Sequence, residues 1–206
     1  MNNDVREQTV YQVTRRILQR IESMRNGSSG RALLANLRRS TGKPLSETII
    51  ALPLILEEIP ADMLGRSEKA SYEERAIITS LQLYATHQQG NSESVIEENS
   101  RNYSNFGESL KNLRIGDNTQ AVDRRFNAMI TASTFNAFVY YLRQLVQLLK
   151  AKGKTTKVDY ALLANDLFLY QLGHVEGIRL RWARSYYWQQ ANVAEEQPVT
   201  VANTDN

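Results

Sequence analysis

The residues of this sequence best suited to chemistry are its arginines. They supply 18 of the 25 cationic side chains, and the planar guanidinium fork matches phosphate oxygens as a lysine cannot. Lys111, Arg114, Arg124, Arg125 and Arg143 fall within residues 106–149, where only Glu108, Asp117 and Asp123 carry the opposite sign. Arg38 and Arg39 form a second group upstream. Cations placed this way on helices are the expected contacts to a nucleic-acid backbone. Arg38 and Arg39 also suit the carbonyl end of a helix, and the two roles are compatible.

Catalytic groups are scarce by comparison. Cysteine is absent and there are two histidines, which rules out disulfides and thiolate chemistry and leaves little for a zinc site. His87 and His174 read as capping or surface histidines. Asp159 and Asp166 sit seven apart, on one helical face, and read better as a cap and a salt-bridged acid than as a catalytic carboxylate pair. There is no glycine-rich phosphate loop and no paired-histidine metal motif. No catalytic residue, metal or cofactor is expected, and a helical hydrolase finds no residues to run on. Tyr140, Tyr141, Tyr186, Tyr187 and Trp188 are aromatic enough to stack on bases, but at helical spacing most belong in a core, leaving one or two as stackers.

Charge is segregated along the chain. Residues 1–43 carry a net +6, residues 44–100 a net −7, residues 101–184 a net +7, and the last 22 residues −3. Such blocks either polarise the surface or pair with one another inside the fold. No apolar run reaches about 18 residues, so no membrane span is expected. The N-terminus MNNDVREQ lacks the basic-then-apolar order of a signal peptide, so a cytoplasmic location is expected.

The elements that must position these side chains are helices. Val10, Val13, Ile17, Ile21 and Met24 give one apolar stripe from about Asp4 to Met24, ended by the Gly/Ser run at residues 26–30. A short helix follows with Leu33, Leu34 and Leu37 inward, closed by Gly42 and Pro44. Pro53 kinks a helix or opens one at its first turn. Ser71 and Glu74 form a capping-box pattern before Ile77, Ile78, Leu81, Tyr84 and Ala85, with a stop near Gly90. The polar stretch after it reads as a loop. Residues 106–149 read as the organising helical pair: Val122, Phe126, Met129 and Ile130 on one face, Phe135, Phe138, Leu142, Leu145 and Leu149 on the other, turning at Ala132 and Ser133. Lys150, Lys152, Lys154 and Lys157 complement a helix C-terminus there. Asp159 caps a helix through Leu162, Leu163, Leu167 and Tyr170, which Gly173 and Gly177 weaken; Ile178, Trp182 and Tyr186 line the last helix. The expected fold is all-α: two packed helical bundles (1–90 and 105–190) joined by an acidic linker loop (91–104), then a disordered tail (191–206).

The order GRALLANLRRSTGKP, FGESLKNLR, DRRFNAMI, LRQLVQLL, VDYALLANDL and RLRWARSYY resembles the CasB family over roughly residues 10–188. That family is the small subunit of the type I-E CRISPR-associated surveillance complex, Cascade. The resemblance implies a non-enzymatic, DNA- and RNA-binding part in antiviral defence. It also implies partnership with the other Cascade subunits and CRISPR RNA, two copies placed head to tail, and stabilisation of the displaced single-stranded, non-target DNA of the R-loop. Residue matching carries backbone contact to Arg38, Arg39, Arg114, Arg124, Arg125 and Arg143, and leaves Arg179, Arg181 and Arg184 free to face neighbouring subunits. The rival from another class is a helical protein–protein scaffold that binds through the acidic 44–100 region without touching nucleic acid.

Overall fold

The computed structural model describes residues 9–43, 47–66, 69–98, 104–114, 119–152 and 156–188. The expected helix start at Asp4, Pro44, the Gly116-Asp117-Asn118 connector, the glycine and lysine at 153–154 and the tail lie outside the described residues. Among the described residues the chain is all-α, with nine helices and no strand. They are α1 (Val10–Met24), α2 (Ser28–Arg39), α3 (Leu52–Glu58), α4 (Tyr72–Gln88), α5 (Phe106–Lys111), α6 (Thr119–Ile130), α7 (Phe135–Lys152), α8 (Tyr160–Gln171) and α9 (Val175–Tyr187).

Local chemistry sets most of the helix ends. Thr9 starts α1 through a capping box with Gln12, and Ser71 starts α4 through the expected one with Glu74. Pro53 sits in the first turn of α3, where its missing N–H costs nothing. Asp159 accepts from the Leu162 N–H at 2.8 Å and caps α8. Gly173, with φ at 95°, separates α8 from α9. Gly177, by contrast, lies inside α9, whose buried Ile178, Trp182 and Tyr186 outweigh the roughly 1 kcal/mol a mid-helix glycine costs.

The centre of the molecule is not the 106–149 pair but α4 packed on α8. α8 lies against α1 on its other side, and α4 also meets α2 and α7. Every residue of α4 from Ser80 to Gln88 is buried, and α8 buries Tyr160, Leu163, Ala164, Leu167 and Tyr170. A helix covered on several sides goes inside, whereas the one-faced helices α6 and α7 pack on each other at the side. The segment after α4 is stitched to the entry of α8: Glu97 N–H donates to Val158 O at 3.0 Å and Val158 N–H to Val95 O at 2.9 Å.

α5 and α9 approach closely because residue 107 has no side chain. A Cβ there would lie 2.2 Å from the carbonyl oxygen of Trp182. Gly107→Ala should therefore cost about 1–3 kcal/mol by overpacking, a Tm fall of roughly 2–12 °C in a chain of this size. Gly177→Ala, with open space around it, should raise Tm by a few degrees. Calorimetry that found Gly107→Ala as stable as the parent would show that α5 does not seat on α9 this way.

Candidate nucleic-acid interface

Two clusters of cations lie on this frame, and the C-terminal turn of α7 lies between them. The first is a cleft of about 340 Å³ lined by Arg25, Arg31, Leu34 and Arg38 on one wall and Gln88 to Asn91 on the other. Arg31 and Arg38 are seven apart on α2 and share a face. The hairpin that presents them depends on Gly30, where a Cβ would fall 2.1 Å from the carbonyl oxygen of Met24. Among the described residues no acidic side chain lines the cleft. Arg25 pairs with Glu22 at its back, Nε to Oε2 at 3.3 Å, while its buried Nε and Nη1 have no hydrogen-bond partner. Burial, and then the charge of Arg39, lowers the Arg38 guanidinium below its usual pKa. Arg31 is exposed and Arg38 half-buried, and neither meets an acid among the described residues, so an anion in the cleft would find guanidinium donors not already paired with a carboxylate.

The second cluster is at the ends of α5 and α9. Lys111 Nζ stands 5.5 Å over the Trp188 ring, and Arg114 lies 5.2 and 5.0 Å over Tyr186 and Tyr187. Arg114 is not a free cation. It pairs with Asp123, Nε to Oδ1 at 2.9 Å, and the Tyr186 hydroxyl donates to the same carboxylate at 2.6 Å. Burial, then Asp123, pushes the Tyr186 phenol far above its usual pKa, so it stays a donor.

Lysines at the end of α7 lie between the clusters. Lys150 Nζ donates to Gln89 Oε1 of the cleft at 2.8 Å, and Lys152 Nζ donates to the Asn112 carbonyl, next to Lys111, at 2.7 Å. Arg143 lies two turns before Lys150 on the same side of α7, half-buried, its Nε without a hydrogen-bond partner. Arg124 and Arg125 are exposed on α6, and Arg125 Nη1 bonds the Ala121 carbonyl at 3.0 Å. Arg39 is exposed at the end of α2. The structure thus puts Arg38 in the cleft and Lys111 beside Arg114, with Arg143 and the Arg124–Arg125 pair on α7 and α6 respectively.

Sequence reasoning missed Arg25 and Arg31, and gave Lys150 and Lys152 only a dipole role. Spacing marks Arg31 and Arg38 as one face, but the wall from α4 is not a local signal. His87 needs a correction. It is neither a cap nor a surface residue: it is 1% exposed and its Nδ1 lies 2.9 Å from the Tyr160 hydroxyl. The centre of the fold falls on α4 and α8, so the end of α4 is covered. Burial lowers the His87 pKa to about 4, so the ring is neutral. His174 stands exposed at the start of α9 without a side-chain cap bond. Asp159 and Asp166 divide as expected: one caps α8, the other is buried and accepts from Arg181 and from Trp182 Nε1. Arg179 donates to the Ala132 carbonyl, and Arg184 is exposed. Among the described residues no three acidic or histidine side chains gather around a metal-sized space, and no described helix is long and apolar enough to cross a membrane.

The charge blocks do pair in part within the fold, since Arg16 and Arg20 of α1 meet Glu57 and Glu58 of α3. Arg31 and Arg38 of the cleft meet no acid among the described residues.

Comparison with known proteins agrees with this architecture. CasB from Thermobifida fusca superposes with a TM-score of 0.64 at 24% identity, covering 85% of this chain and 98% of that one. The CRISPR-associated Cse2-family protein of Thermus thermophilus gives 0.60 at 22%, over 84% and 97%. A chain of a CRISPR RNA-guided surveillance complex gives 0.64 at 19%, over 86% and 92%. At these identities the likeness is one of fold. No curated protein matches the sequence. The family model for CRISPR-associated protein Cse2, however, matches residues 33–187, from the buried leucines of α2 to the end of α9. With that match spanning most of the sequence and the fold shared with two CasB-type proteins, the chain belongs to the Cse2 (CasB) family of CRISPR-associated proteins.

Proposed function

We propose that this chain is a non-catalytic subunit of a CRISPR RNA-guided surveillance complex of the Cascade type, acting in the cytoplasm in antiviral defence. In this reading its arginines hold the backbone of the displaced non-target strand of the R-loop. The observation that carries the proposal is the acid-free cleft, in which Arg31 and Arg38 pair with no acid among the described residues and Arg25 keeps unpartnered donors. Family membership and the likeness to a chain of such a complex supply the setting. The physics suits the task. Opening an R-loop exchanges one duplex for another of similar stability, so a few backbone contacts tip the balance. Guide pairing reads the sequence, which leaves the protein to make sequence-independent phosphate contacts.

Arg39, Lys111, Arg124, Arg125 and Arg143 extend those contacts beyond the cleft, and Arg114 holds Tyr186 and Tyr187 in place beside them. Changing Arg124, Arg125 and Arg143 together to alanine in a reconstituted complex should shorten R-loop lifetime while leaving assembly on CRISPR RNA intact. For isolated single-stranded DNA the slope of log affinity against log salt should flatten by up to about 2. An unchanged R-loop lifetime would remove these three from the interface.

A scaffold role without nucleic acid has one observation in its favour. Ile49, Ile50 and Leu56 are 70%, 52% and 37% exposed around α3, in the acidic block, and exposed apolar side chains of that kind suit a protein contact. That patch serves docking to another subunit or to a second copy placed head to tail. A salt-insensitive complex that never contacts DNA would favour the scaffold alone.

A further inference from the structure

Two exposed aromatics at the end of α9 are not accounted for by backbone contact. Trp188 is 62% exposed and Tyr187 is 38% exposed, whereas the other tryptophan, Trp182, is fully buried. They are not loose. Tyr187 stands edge-on to Tyr186 and to Phe126, with ring centroids 4.8 and 5.7 Å away, and its hydroxyl bonds Asn127 Oδ1 at 2.8 Å. The Trp188 backbone N–H closes the helix on the Arg184 carbonyl at 2.8 Å.

Cations ring the pair. Lys111 lies over Trp188 and Arg114 over Tyr187. Arg124 lies one turn before Asn127 on α6, and Arg184 lies one turn before Trp188; both are exposed. Two acids are near. Asp123 is engaged by Arg114 and Tyr186, and Glu108 is exposed one turn before Lys111. Exposed rings among surplus positive charge are what an unpaired base and its flanking phosphates recognise. Stacking supplies base contact without sequence choice, because every base has a π-face.

We propose that Tyr187 and Trp188 form a stacking platform for an unpaired nucleobase of a single strand, with Lys111, Arg124 and Arg184 on the adjoining phosphates. This rests on the nucleic-acid reading above and adds base contact to it. The strand then has an ordered route, with phosphates in the cleft at one end and a stacked base at the other, the lysines of α7 between them.

The test uses the full chain at low salt, an oligothymidylate, and an abasic strand of the same length. The parent protein should bind the thymidylate about tenfold or more tightly than the abasic strand, with quenching of Trp188 emission. Trp188→Phe leaves only buried Trp182 to report, and its emission should not respond. Tyr187→Ala with Trp188→Ala should bind both strands equally, at the parent's abasic affinity and with circular dichroism unchanged. Equal binding of both strands by the parent, or unquenched Trp188 in a saturated complex, overturns the platform while leaving backbone contact in place. Binding of neither strand overturns both readings.

Discussion

Replacing Arg31 and Arg38 together with alanine should weaken single-stranded DNA binding about 25-fold at 0.1 M salt and flatten the log affinity–log salt slope by about 1.4. Both figures come from losing two phosphate contacts at about 0.7 each, since the electrostatic part of the affinity grows as salt falls below 1 M. The loss should be the same for every DNA sequence. Both positions are on α2, and alanine is a better helix former than arginine, so the fold is retained. Arg38 has no acid partner among the described residues, and burial and then Arg39 disfavour its charge, so its removal relieves the empty protein even as it weakens the complex. Arg20→Ala is the control: that side chain is held by Glu57 and Glu58, and its removal should leave the slope unchanged. A double variant that kept the parent slope would take the cleft out of the interface.

Acid should destabilise this protein through His87. The folded ring has its pKa lowered to about 4, against about 6.5 in an unfolded chain. Between those values the unfolded state binds a proton that the folded state does not. Stability is therefore complete above about pH 6.5 and declines as pH falls toward 4, by about 1.4 kcal/mol per unit, to a total of about 3 kcal/mol. His87→Gln keeps a polar group facing the Tyr160 hydroxyl and cannot titrate. Urea midpoints at pH 7 and pH 4.5 should show the parent losing about 2–3 kcal/mol more than the variant. Carboxylates titrate in both proteins, so the difference isolates the histidine. Equal losses would mean that His87 is not held neutral in the core.

This has a consequence for the interface. The His87 carbonyl accepts from Asn91 Nδ2 at 2.8 Å, and Gln88 Nε2 ties the carbonyls of Asn91 and Glu93. Gln88 and Asn91 belong to the far wall of the cleft. Tyr84 and Tyr160 pack edge to face, and Tyr84 donates to Glu22, the partner of Arg25. The buried polar chain from His87 thus supports both walls of the arginine cleft, and loosening it in acid loosens the site.

The features legible along the chain are local ones. Helix faces follow from a 3.6-residue period, and the caps at Ser71 and Asp159, the proline at the head of α3 and the stop after Gln88 follow from residues within one turn of each other. The family resemblance was legible for the same reason, since an ordered set of short helical motifs survives in the linear chain. Which charges are spent, by contrast, depends on the folded molecule. Arg114 looks free until Asp123 and Tyr186 arrive, the latter 63 residues beyond Asp123. Arg16 is answered by Glu58, 42 residues on. Arg25 and Arg31 become a site only when the end of α4 closes the cleft, and Lys150 joins it through Gln89, 61 residues away. His87 looks superficial in the sequence because the covering of α4 comes from α8, far along the chain. Helix formation depends on neighbours in sequence, whereas the charge state and exposure of a side chain depend on neighbours in space. A sequence pattern encodes the second kind only through packing, which no window of a few turns contains.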